Sequence, residues 1–114
     1  MHKSRLATLI IDSQVDDIKR GGKILAKALS LGIGDPNYEN KNWVPLEIQE
    51  PQPHIWLQKV KHQIRIQIDI ETDNIDAEVA RLQKLGASIF ENKDKFVVME
   101  APTRHRFLCR EPAA

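Results

Sequence analysis

From Ile64 to Ile70, isoleucine fills every second position, and Arg65, Gln67 and Asp69 stand between. Successive side chains of a β-strand point to opposite faces, so a strand here has one apolar and one entirely polar face. A helix would scatter the isoleucines around its axis. The pattern therefore predicts a strand in QIRIQIDIET with its isoleucines against a core. Downstream, Ile75, Val79, Leu82 and Leu85 recur at spacings of three and four and predict an amphipathic helix. Asp73 is placed to cap its start and Gly86 to end it. Three short strands are expected after it, Ala87 to Glu91, Phe96 to Glu100 and Arg106 to Glu111.

The first half reads in the same order. Arg5 to Asp12 alternates and is rich in Leu and Ile, as a strand would be. Val15, Ile18, Gly22, Leu25 and Leu29 then predict a helix, with Asp16 and Asp17 in its first turn and Gly32 as its stop. Two glycines inside a helix each cost roughly 1 kcal/mol relative to alanine, so Gly21 and Gly22 imply either a close approach to another backbone or a kink. WVPLEI and HIWLQKV follow as strands, and Pro45 puts the first at an edge or a bulge. Strand, helix and several strands thus occur twice. That repeat fits a paired module, and equally an α+β domain in which the order arose by chance.

A chain of 114 residues is sized for one domain, and its net charge of +1 gives no broad attraction to nucleic acid. The basic cluster Lys59, Lys61, His62 and Arg65 reads as ordinary solvated or paired charge. The apolar run LATLII near the N-terminus is too short for a signal peptide or a membrane span. A lone cysteine, Cys109, lies in an apolar strand pattern and reads as a small core residue. Together these features predict a reduced, cytoplasmic protein without membrane or nucleic-acid partners.

Four segments, RLATLIIDSQVDDI, IWLQKV, RIQIDIETDNIDAEVARLQKLGA and FVVMEAPTRHRFLCR, stand in an order that resembles the glyoxalase, bleomycin-resistance and extradiol-dioxygenase (vicinal oxygen chelate) superfamily, in its glyoxalase-like subgroup. The resemblance implies an α+β fold of two β-α-β-β-β modules, about residues 5–60 and 63–111 of a single 1–114 domain. Their mixed sheets would curl into an open cup with the helices outside. It also implies that Arg65, Gln67 and Asp69 line the cup.

Metal-dependent members of that superfamily hold a divalent cation through His, Gln or Glu on the first and last strands of each module. The matching positions here are Thr8, Trp56, Gln67 and Leu108, of which only Gln67 is a familiar ligand. A catalytic cation needs about three protein donors, so no metal or other cofactor is expected. Glu47, His54 and Gln58 remain as an unusual alternative set. The histidines share no ligand spacing; His2, His54, His62 and His105 read as surface or turn residues, with His105 nearest to a pocket rim. Trp43 and Trp56 would either stack on a planar ligand or pack in the core. Met99 reads as core. Relatives often carry a Phe-Trp pair where this chain has Ile24 and Leu25, which alters the pocket volume and weakens transfer of any particular substrate.

The leading expectation is a dimeric, glyoxalase-like protein that binds a small organic molecule through Thr8, Trp43, Trp56, Gln58, Arg65, Gln67, Asp69 and Leu108, without the usual metal and with no catalytic residue assigned. A metal-dependent lyase, isomerase or dioxygenase, with Asp69 or Glu47 as base, is the second. A non-catalytic dimeric interaction or regulatory module is the third.

Overall fold

A computed structural model describes residues 1–112 of the chain. Its elements run β1 (Ser4–Ser13), α1 (Ile18–Ala28), β2 (Gly32–Ile33), β3 (Trp43–Glu47), β4 (His54–Lys59), β5 (Ile66–Thr72), α2 (Ile75–Lys84), β6 (Ser88–Asn92), β7 (Phe96–Glu100) and β8 (Arg106–Arg110). The fold is α+β, and β-α-β-β-β occurs twice. Two compact units divide it: Thr8–Ile66, the N-terminal unit, and Met1–Ala7 with the chain from Gln67 onward, the C-terminal unit. The division falls inside β1, whose first residues belong with the C-terminal half of the sequence.

In the N-terminal unit the strand order is β2-β3-β4-β1. β1 and β4 run parallel, with Ile10 opposite Trp56 and Asp12 opposite Gln58, while β3 and β4 are antiparallel, with Trp43 opposite Gln58. Leu57 and Val44 project to the helix side, where they join Ile18, Ala26 and Leu46 in a core flanked by Ile11, Leu25 and Ile55. Gly22 is what lets α1 reach that core. A methyl group there would lie 2.6 Å from Leu57 Cδ1, so the close approach is to a side chain rather than to another backbone.

The ends of α1 differ from expectation. Asp17 is the N-cap, its carboxylate accepting from the Arg20 N–H, and Val15 and Asp16 precede the helix. The Arg20 N–H holds the Asp17 carboxyl below its ordinary range. The helix stops at Ala28, and Ser30 takes the left-handed turn at φ 58°. Gly32 instead begins β2, where a Cβ would lie 2.7 Å from the Glu47 carboxylate. Pro45 lies within β3 just past the pairing with β2; lacking an N–H, it offers its carbonyl to the Gly34 N–H at 2.9 Å.

In the C-terminal unit the order continues from the start of β1 through β5-β8-β7-β6. β5 and β8 are parallel, and β8, β7 and β6 are antiparallel neighbours. Val79 and Leu82 of α2 pack with Val97, Met99 and Cys109, flanked by Ile70, Ile75 and Phe107. Met99 and Cys109 are therefore core residues. Leu85, expected on the same stripe, is 70% exposed, because α2 ends at Lys84 and Leu85 is already its C-cap. Gly86 follows at φ 111°, a conformation that favours glycine.

Asn74, rather than Asp73, caps α2, accepting from the Ala77 N–H at 3.0 Å. Asp73 is drawn one residue outward to Lys3, accepting from its N–H at 2.8 Å and donating its own N–H to the Lys3 carbonyl. His2 also leaves its expected surface role. Its Nε2 lies 2.9 Å from Oε1 of Glu78, a fully buried carboxylate that also receives two 2.7 Å hydrogen bonds from Arg81. Arg81 chiefly, with His2 and Ser4, holds Glu78 down to about 2.

Candidate functional site

Each unit has a sheet face turned away from its helix, and the residues singled out from sequence fall largely on those faces. In the N-terminal unit the register assigns them. Leu57 and Ile55 of β4 are on the helix side, so His54, Trp56 and Gln58 point the other way. Across β1, Thr8, Ile10 and Asp12 share that face, as does Trp43 across β3. Thr8 is buried, whereas Trp43, Trp56 and Gln58 keep part of their surface. The two indole rings meet edge to face, with centroids 6.2 Å apart and planes at 64°. That geometry suits the aromatic quadrupoles and leaves ring surface open.

The alternative donor set is dispersed by other partners. His54 Nε2 turns to Glu50 at 3.3 Å, and Glu47 is exposed beside Gly32. Among the described residues, no three His, Cys, Asp or Glu side chains are grouped so as to hold a metal ion. The superfamily positions fit no better: Thr8 is a weak hydroxyl donor, Trp56 and Leu108 supply no ligand atom, and the Gln67 amide hydrogen-bonds to Asp69. Among the described residues, these positions do not supply the roughly three donors that a catalytic divalent cation needs.

In the C-terminal unit Ile70 and Cys109 face α2, so Gln67, Asp69 and Glu71 of β5 face away, with Arg106, Leu108 and Arg110 of β8 opposite them. Polar residues there are connected. Glu71 Oε1 accepts from Arg5 Nε at 2.8 Å and its Oε2 from Arg110 at 3.1 Å, which keeps its carboxyl below the ordinary range, Arg5 contributing most. Arg106 lies over the Phe90 ring at 3.7 Å and near Glu100 at 3.8 Å. Asp69 is only 9% exposed, and burial pushes its carboxyl above the ordinary value against the opposing pull of Gln67 and Arg110.

Arg65 stands apart from its expected neighbours. β5 begins at Ile66, so Arg65 is exposed in the preceding segment, its carbonyl accepting from the Asp12 N–H at 3.0 Å. His105 pairs with the Thr103 hydroxyl at 2.9 Å and stays exposed. A shallow depression of about 270 Å³ in this unit is lined by Gly86, Ser88, Glu100, Ala101, Pro102 and Arg104, without His105. Sequence reasoning passed over Arg110 and Glu71; each is two residues from a named strand residue, and period-two counting from Leu108 and Asp69 finds both.

With β-α-β-β-β twice, and β1 parallel to β4 and β5 parallel to β8, the fold is similar to that of solved structures. A variant of homoprotocatechuate 2,3-dioxygenase from B. fuscum superposes with a TM-score of 0.62 at 15% identity over 96% of this chain. This chain spans 33% of that enzyme's length. A hypothetical protein from Bacillus halodurans gives 0.62 at 15% identity, covering 97% of this chain and 96% of its own. A glyoxalase/bleomycin resistance protein/dioxygenase superfamily member from Vibrio splendidus gives 0.53 at 14%, with coverage of 96% and 100%. No curated protein matches the sequence. The chain belongs to the glyoxalase-like domain family, whose model matches residues 8–109.

Proposed function

We propose that this glyoxalase-like protein binds a small organic molecule against the helix-free sheet face of its N-terminal unit and does so without the superfamily's metal. The observation behind the reading is the Trp43–Trp56 pair: two partly exposed indoles, held edge to face on a strand surface, offer an apolar platform for a planar group. Gln58 lies opposite Trp43 in the register and supplies an amide that donates and accepts beside that platform. Binding by stacking and hydrogen bonding needs neither nucleophile nor base, so the reading requires none of the missing donors.

Fluorescence titration tests it, because Trp43 and Trp56 are the chain's two tryptophans. Saturable quenching by at least one member of a panel of small planar aromatics is expected, and Trp56→Ala should abolish it while leaving the fold intact by circular dichroism. A stoichiometric cation in protein purified without chelator, lost on Gln67→Ala, would replace this reading with a metal-dependent lyase, isomerase or dioxygenase. If no panel member binds and light scattering shows a stable dimer, the interaction module is the better account.

A further inference from the structure

We propose that the outward face of α1 is a docking surface for an anionic phospholipid bilayer. The chain's net charge of +1 conceals how unevenly its cations are placed. α1 carries Lys19, Arg20, Lys23 and Lys27 and no acidic residue. Ile18, Gly22 and Ala26 turn the other side of the helix into the core. Arg20, Lys23, Ile24 and Lys27, spaced by three and four, therefore share one outward stripe, and all four are exposed. Lys19 pairs with Asp35, and the Asp17 carboxylate is taken by the Arg20 backbone N–H as the helix cap. Among the described residues Arg20, Lys23 and Lys27 have no ion pair.

This arrangement works against the helix. Cations in the first turn oppose the helix dipole, and like charges three or four residues apart repel. α2 shows the ordinary solution in the same chain, with Asp76 and Glu78 in its first turn and Arg81 and Lys84 in its last. A partner that brings negative charge to α1 relieves the repulsion. Ile24 narrows the choice of partner: it is 80% exposed amid the cations, and a nucleic-acid phosphate backbone offers nothing apolar to receive it. Peptide recognition uses a groove or a strand edge, and the outward side of a single helix is neither. A bilayer is flat and sets anionic headgroups directly over an apolar layer, so it accommodates both parts of the stripe. The contact is one of surfaces, since no described helix is long and apolar enough to cross a membrane.

Co-sedimentation of the full chain with vesicles tests the assignment, using phosphatidylcholine alone and phosphatidylcholine mixed with phosphatidylserine. Binding to the mixed vesicles should be at least about tenfold tighter and should fade as added salt screens the headgroups. Lys23→Gln and Lys27→Gln should each weaken it about fivefold, whereas Lys84→Gln, which removes an equal charge from α2, should leave it unchanged. Ile24→Ser should weaken it without altering its salt dependence, and circular dichroism checks that every variant is folded. Equal binding to both kinds of vesicle, binding to neither, full binding by Ile24→Ser, or the same loss from Lys84→Gln as from Lys23→Gln overturns the inference. So does capture of the chain by polyglutamate or a DNA duplex in place of the mixed vesicles, which would assign the face to an acidic protein or a nucleic acid. Small-molecule binding at the tryptophan pair stands or falls separately.

Discussion

Gly22→Ala isolates the close approach on which the N-terminal core depends. In an isolated helix the substitution would stabilise by about 1 kcal/mol, since alanine is the better helix former. Here the new methyl would sit 2.6 Å from Leu57 Cδ1 and 3.1 Å from Ile33 Cδ1. Leu57 is fully buried and cannot swing into solvent, so relief requires α1 or β4 to shift. Overpacking of this kind costs about 1–3 kcal/mol, which outweighs the helical gain and leaves a net loss of about 1 kcal/mol. For a chain of this size that lowers Tm by roughly 3–6 °C. The decisive assay is a double-mutant cycle in urea, followed by far-ultraviolet circular dichroism. Leu57→Ala alone should cost about 2–5 kcal/mol, but in that background only the looser 3.1 Å contact with Ile33 remains, and Gly22→Ala should lose its cost or become stabilising. A rise in the unfolding midpoint on adding Gly22→Ala to the wild-type chain, or an identical effect in both backgrounds, would refute the reasoning.

Two further outcomes follow from buried groups of the C-terminal unit. Glu78, ordinarily near 4.5, is held at about 2 in the folded chain, so its contribution to stability is complete above pH 4.5 and is lost as pH falls towards 2. Glu78→Gln should remove that acid-side slope; because Arg81 is 49% exposed and stays hydrated, the loss at neutral pH should be about 1–3 kcal/mol, read by urea unfolding at several pH values. Cys109 has no exposed surface and burial pushes its thiol up to about 11, so a thiol-reactive dye at pH 7 should label it only after denaturant is added.

The elements were legible where one physical preference dominated. The period-two isoleucines located β5, and the apolar stripe through Ile75, Val79 and Leu82 located α2. Boundaries were lost where equivalent residues compete. Asp73 and Asn74 are both good caps, and only the pull of Lys3 on Asp73, seventy residues away, decides between them. Likewise Ser30 accepts the left-handed turn that glycine would fill more readily, which frees Gly32 for the tight contact with Glu47. Ile64 and Ile66 fit the alternation and yet are exposed, Ile64 ahead of β5 and Ile66 at its first residue, so of the four isoleucines only Ile70 packs against the α2 core; periodicity gives a strand's face but not how far the core extends beneath it. The choice of Thr8, Trp56, Gln67 and Leu108 came from the family resemblance, and the strand register puts each on the helix-free face of its own unit, whereas the Glu71–Arg5 and Glu78–His2 pairs join residues 66 and 76 positions apart and left no local mark.

The split of β1 bears on how the C-terminal unit assembles. Its sheet borrows Ser4 and Arg5, which bond to Thr72 and Glu71, and its buried carboxylate borrows His2. These contacts close loops of 66 to 76 residues, and the entropy of closing them must be met before the contacts repay it. As the chain leaves the ribosome, its first seven residues wait with no completed partner strand until β5 and α2 have emerged. An affinity tag fused ahead of Met1 would sit at this late-forming seam, so extensions at that end should slow refolding more than equal extensions at the other.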